Sequence, residues 1–159
     1  MAKQPKAYSP EYALARLQAL CSRSEKCVYD LQLKLQKWGV STDDAQKIIV
    51  RLQADKFVDE ERYAHAYVRE KTRFSKWGRQ KITQMLKSKR IPSTLIENAL
   101  AEINQNKYEE ELRILLEKKN ASIKADTLNE RKAKLLRFAL SRGYEYQLVY
   151  KVLSTISLK

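Results

Sequence analysis

Apolar positions recur along this chain at helical spacing. Ala45, Ile48, Ile49 and Leu52 stand at i, i+3, i+4 and i+7, which puts all four on one face of a helix, and the alternation of a strand is absent. A second stripe, Ala13, Leu17, Leu20 and Cys21, follows Ser9 as a cap and Pro10 as the first helical residue. Asp59 caps another helix, with Glu60 and Glu61 in its first turn and Ala64, Tyr67 and Val68 facing inward; Leu112, Leu115 and Leu116 mark one more. Ser24 reads as the cap of a helix that Gly39 ends, and Ser41 or Thr42 starts the next, with Asp43 and Asp44 behind it. Thr127 and Glu130 have capping-box spacing, and Gly143 closes the helix they open. The segment Lys119 to Asp126 is predicted as the longest loop and a hinge.

The stripes repeat. With Gly39, Arg90 and Gly143 in register, the second unit follows the first by 51 residues (90 − 39) and the third follows the second by 53 (143 − 90). Leu31 then aligns with Ile82 and Leu135, Leu35 with Leu86 and Ala139, and Val40 with Ile91 and Tyr144. Further on, Ala45 aligns with Ile96 and Val149, Ile48 with Ala99 and Val152, Ile49 with Leu100 and Leu153, and Leu52 with Ile103 and Ile156. The predicted fold is all-α: three tandem three-helix repeats over residues 9–56, 57–105 and 106–159, about nine helices in all. Helices of ~12 residues bury too little apolar surface alone, so each unit must lean on the next, in an elongated, curved arrangement.

Composition agrees with helices and adds a charge. The 159 residues include three glycines and three prolines, too few turn formers for a sheet of hairpins. The formal net charge is +13, which calls for an anionic partner. No stretch approaches the ~20 apolar residues that span a bilayer, and the amino terminus lacks the apolar centre of a signal peptide, so a cytoplasmic monomer is expected. Cys21, Cys27 and a single histidine, His65, do not make a zinc site, and the cysteines read as half-buried thiols. With no Gly-rich phosphate loop and no nucleophile–base arrangement, neither catalysis, nor a cofactor, nor a small-molecule substrate is expected.

The charge is concentrated. From Arg69 to Arg90 nine bases stand against Glu70 alone, a net of +8 over 22 residues, while the flanking stretches are slightly acidic. Arg69, Arg73 and Lys76 fall at i, i+4 and i+7 and are expected to point outward together. Arg79 and Lys81 lie near the start of the next helix, and Lys89 and Arg90 near its end. A solvated face normally mixes both signs, because like charges at i, i+4 repel; so unmixed a run points to an external anion. These seven cations are the candidate contacts for a partner or DNA. Phe74, Trp77 and Trp38 accompany the bases and suit either stacking on a single strand or packing at helix junctions, the latter preferred for both tryptophans.

The stretch from Phe57 to Leu100 resembles the centre of the RecX family, in Asp59, Arg62, Tyr63, Ala64, Gly78, Ile82 and Leu86. The segments SRSEKCVYDLQLKLQKWGVSTDDAQKIIVRL and LLRFALSRGYEYQLVYKVL also look like family segments, so the likeness runs from about residue 10 to residue 156. The resemblance implies tandem three-helix repeats that lie along the groove of the RecA recombinase filament on DNA and restrain its ATP hydrolysis, strand exchange and co-protease activity, with no cofactor and no active site. One position departs from the pattern: Arg90 stands where the family usually has glycine. Either the turn there avoids a left-handed residue, or Arg90 bears strain of about 1 kcal/mol. Two other readings remain at this point, a direct nucleic-acid-binding repeat protein without a recombinase partner and a scaffold for another acidic protein.

Overall fold

The computed structural model describes residues 6–158. Among them the chain forms nine α-helices and no strand: α1 (Pro10–Arg23), α2 (Val28–Lys37), α3 (Thr42–Ala54), α4 (Glu60–Arg73), α5 (Arg79–Ser88), α6 (Ser93–Leu100), α7 (Gln105–Ser122), α8 (Leu128–Ser141) and α9 (Tyr146–Leu153). They pack as consecutive triplets: α3 lies on α1 and α2, α6 on α4 and α5, and α9 on α7 and α8. Each triplet has its own core, built on Leu17, Leu31, Leu35 and Leu52 in the first, Ala64, Ile82, Leu86 and Ile96 in the second, and Leu112, Leu116, Leu135 and Val149 in the third. The accessible surface is 10584 Å². A compact chain of this size exposes about 8,200 Å², and the larger value fits separate units set in a row better than one compact core.

Local chemistry starts four of the nine helices where the sequence places them. Side-chain oxygens of Ser9, Ser41, Asp59 and Thr127 accept from the amides of Tyr12, Asp44, Arg62 and Glu130 at 3.2, 3.2, 2.9 and 3.1 Å. The three register positions share one backbone conformation, with φ of 74° at Gly39, 61° at Arg90 and 92° at Gly143. Arg90 therefore takes the strained alternative. Its guanidinium lies 4.9 Å from the centre of the Tyr29 ring on the preceding repeat, a contact worth roughly 0.5–1 kcal/mol that offsets part of the strain.

Lys56, exposed beyond the end of α3, is also left-handed at φ 60°. Lys56→Gly is expected to raise stability by about 0.5–1 kcal/mol, the relief of left-handed strain less the added freedom of glycine in the unfolded chain. Urea unfolding should show a higher midpoint at unchanged slope.

The units interlock by a recurring device. The first amide of α2, Val28, donates to Glu60 Oε1 of the second repeat at 2.8 Å. Its counterpart in register, the Arg79 amide of α5, donates to the Tyr108 hydroxyl of the third repeat at 3.0 Å. The middle helices of the first two repeats, α2 and α5, are thus each capped from the first helix of the unit that follows. Glu60 does this half-buried: loss of water pushes its carboxyl pKa up, and the bond from Val28 acts the other way.

This device corrects the assignment of Ser24, which ends α1; α2 begins later, at Val28, because its cap comes from another repeat. The loop predicted over Lys119 to Asp126 is also shorter than expected. α7 continues to Ser122, and Arg131 Nη1 holds both the backbone and side-chain oxygens of Asn120 at 2.9 Å, tying the end of α7 to α8 in place of a hinge.

The two cysteines differ. Cys21 is partly exposed, whereas Cys27, 0% exposed, is inserted into the core of the second repeat. Burial pushes the Cys27 thiol up to about 11. Iodoacetamide at pH 8 is therefore expected to modify Cys27 only in denaturant; rapid modification of the native protein would mean that the first junction opens freely.

Candidate functional site

The seven candidate cations divide into two groups. Arg69 and Arg73 are exposed on α4, one turn apart. Lys76 does not continue their face: α4 ends at Arg73, and the chain turns through Phe74 and Ser75 to a left-handed Lys76 at φ 54°. Its ammonium stands 4.0 Å from Glu111 of α7. Arg69 lies 3.9 Å from Glu102, a carboxylate that also reaches His65 Nδ1 at 2.9 Å. Arg69, Arg73 and Lys107 line a cavity of about 340 Å³ between α4 and α7, with Glu102 and Glu111 in its wall.

Arg79 and Lys89 hold repeats together. The Arg79 guanidinium sits 4.2 Å from the centre of the Tyr108 ring, donates to Gln105 at 2.8 Å and stands 3.6 Å from Glu145. The Tyr108 hydroxyl in turn donates to Glu145 at 3.0 Å. Burial and the neighbouring Glu145 push the Tyr108 phenol up, so it stays a neutral donor. At the other junction Lys89 Nζ reaches both oxygens of Asp30, at 2.8 and 3.0 Å. Partial burial alone would lower the Lys89 pKa, and the bond and charge of Asp30 outweigh it and hold the ammonium above its ordinary range. Arg62 and Glu25 add a pair at 2.7 Å on the same junction.

Lys81 belongs to neither junction pair. Its ammonium is 4.5 Å from the centre of the Trp77 ring, and that of Lys71 is 4.8 Å from the same ring. Among the described residues no carboxylate forms an ion pair with Lys71, Arg73, Lys81 or Arg90. Lys71 was not among the seven; its i−4 relation to Tyr67 and its place beside Trp77 were the available signal. Trp77 and Trp38 are half-buried beside helix ends within their own repeats, Trp38 being 5.1 Å from Tyr8 and Trp77 6.5 Å from Tyr67 between ring centres, whereas Phe74 is 73% exposed.

A row of three-helix units, in which the second and third each cap the middle helix of the unit before, defines an all-α tandem-repeat protein. The family model for the RecX second three-helix domain matches residues 59–100, and that for the RecX third three-helix domain matches residues 107–153. The chain belongs to the RecX family of regulatory proteins. It is 33% identical over 135 residues to Regulatory protein RecX of Vibrio parahaemolyticus, covering 85% of each chain. Against Regulatory protein RecX of Clostridium tetani it is 32% identical over 136 residues, covering 84% of this chain and 61% of the longer relative. The crystal structure of RecX from Lactobacillus salivarius has the same fold, with a TM-score of 0.80 over 94% of this chain and 97% of that one at 21% identity.

Proposed function

We propose that this chain binds the RecA recombinase filament on DNA and restrains its ATPase, strand-exchange and co-protease activities, in the regulation of DNA repair and recombination. Membership of a regulatory family supports a role through a partner, and the excess of positive charge supports an anionic one. The observation that carries the reading is the set of cations left without carboxylates on an extended row of repeats: Lys71, Arg73, Lys81 and Arg90. An extended row with free cations suits a groove lined by acidic side chains, DNA phosphates or both. Arg79 and Lys89 act within the protein, and Arg69 and Lys76 stand between the groups, each near one carboxylate.

The test is recombinase ATPase on single-stranded DNA, with and without the protein, using the triple variant Lys71→Glu, Arg73→Glu and Lys81→Glu. The concentration needed for inhibition should rise by at least about tenfold while helicity holds and stability falls by no more than about 1–2 kcal/mol, the share of the two lost contacts with Trp77. Unchanged inhibition by the folded variant would reject the reading.

Direct binding to a single strand without the recombinase is the second reading, favoured by the two ammonium groups gathered on Trp77. About six phosphate contacts would give log K against log[salt] a slope near −4. A slope near zero, or binding only when recombinase is present, dismisses it.

A further inference from the structure

The third repeat carries an uncovered feature that the other two lack. Tyr146 and Tyr150, one turn apart on α9, are 55% and 68% exposed. Their rings are 16° from parallel with centres 6.5 Å apart. They rim a shallow cavity of about 210 Å³ whose floor includes Ala133, Leu136 and Leu153 and whose edge carries Lys132, with no carboxylate in its lining. The register positions are Thr42 and Gln46 in the first repeat and Ser93 and Glu97 in the second, the polar residues that a solvated helix face normally has. A lone exposed aromatic needs no explanation. Two parallel ones over a shared apolar floor do.

We propose that Tyr146 and Tyr150, with Lys132 beside them, form a stacking site for bases of a single-stranded nucleic acid. Phenol rings held in one orientation on a helix suit successive bases, whose flat faces stack on aromatic side chains whatever the sequence, and an adjacent ammonium suits the backbone phosphate. The charge is right for this occupant: the cavity has a lysine and no acid, in a chain of net charge +13. A further repeat is a poor occupant, because α8 starts a turn ahead of Lys132 and is capped locally by Thr127, with Glu130 Oε2 accepting from the Asp126 amide at 3.0 Å. Its first amides need nothing from a following unit, unlike those of α2 and α5. A folded protein partner is disfavoured by scale, since the patch is two side chains wide and a stable interface takes ~800 Å² from each partner.

The site is independent of the recombinase reading, because it is read with a single strand alone. Fluorescence anisotropy would compare labelled oligothymidine with an abasic strand of the same length and charge, for the unchanged protein, for Tyr146→Ala with Tyr150→Ala, and for Tyr146→Phe with Tyr150→Phe. The unchanged protein should prefer the base-bearing strand by roughly tenfold or more. The alanine pair should lose that preference and keep its affinity for the abasic strand, which reports the phosphate contacts, and the phenylalanine pair should keep the preference. No preference in the unchanged protein, its survival in the alanine pair, or a phenylalanine pair as poor as the alanine pair would overturn the site. So would a self-associated form in sedimentation velocity that the alanine pair abolishes, which would make the patch an interface between copies.

Discussion

Gly78→Ala is expected to detach the third repeat from the second, at a cost of about 3–5 kcal/mol. The backbone is not the reason, since Gly78 has an ordinary φ of −84° that alanine adopts freely. Space is the reason. A Cβ there would run into the carbonyl carbon and oxygen of Gly143 and the Tyr144 amide, main-chain atoms with no freedom to swing aside. The start of α5 and the turn between α8 and α9 must then part. Their separation breaks the bond from the Gly78 amide to Arg142 O at 2.7 Å and that from the Gln80 amide to Gly143 O at 3.0 Å. Overpacking of about 1–3 kcal/mol and two bonds of about 1 kcal/mol each give the figure. In urea the unchanged protein should unfold as one coupled row, and the variant should show an earlier transition with the smaller slope of one unit. Gly143→Ala strikes the same junction from the other side, running into the Lys81 backbone and Cβ and at a left-handed φ. The double variant should therefore cost less than the sum of the two. A single unshifted transition for Gly78→Ala would mean that the junction yields elsewhere.

The helices and their repeat were legible because a 3.6-residue stripe and a side-chain cap are local: Ser9, Ser41, Asp59 and Thr127 cap within three residues of themselves. Ser24 misled because the true cap of α2, Glu60, stands 32 residues from Val28. The same limit governs the candidate site. The run of cations from Arg69 to Arg90 is plain in the sequence, but Lys89 meets Asp30 across 59 residues, and the partners of Arg79 lie in α7 and at Glu145, just before α9. Charge counted along the chain takes no account of carboxylates brought across a junction. Lys76 left its expected face because α4 stops at Arg73 and helical spacing has no meaning past a helix end. Tyr146 and Tyr150 did carry a readable signal, being one turn apart and off the Leu148, Val149 and Val152 stripe of α9.

Arg79→Ala is expected to cost about 2 kcal/mol of stability, whereas Arg73→Ala should change it by less than about 0.5 kcal/mol. Both residues belong to one basic run, so the difference tests whether that run has two jobs. Arg79 is 26% exposed at its side chain and touches Tyr108, Gln105 and Glu145 together. Its removal forfeits a partly desolvated cation–π contact and a hydrogen bond of the charged guanidinium, and it leaves Glu145 with the Tyr108 hydroxyl alone. Partial exposure keeps the ion pair's own share small. Arg73 is exposed at the rim of the cavity between α4 and α7, with the Phe74 ring at 5.3 Å, and among the described residues it forms no ion pair and no side-chain hydrogen bond, so little within the fold depends on it. Under the proposed function the two variants should separate in opposite senses: Arg73→Ala weakens recombinase inhibition at an unchanged urea midpoint, and Arg79→Ala lowers the midpoint, with inhibition failing only as the third repeat comes away. An Arg79→Ala protein that keeps its midpoint and loses inhibition would return Arg79 to the contact surface, and the junction would then rest on the backbone bonds around Gly78, the amide bond to the Tyr108 hydroxyl and the bond from Arg142 to Ser75 O.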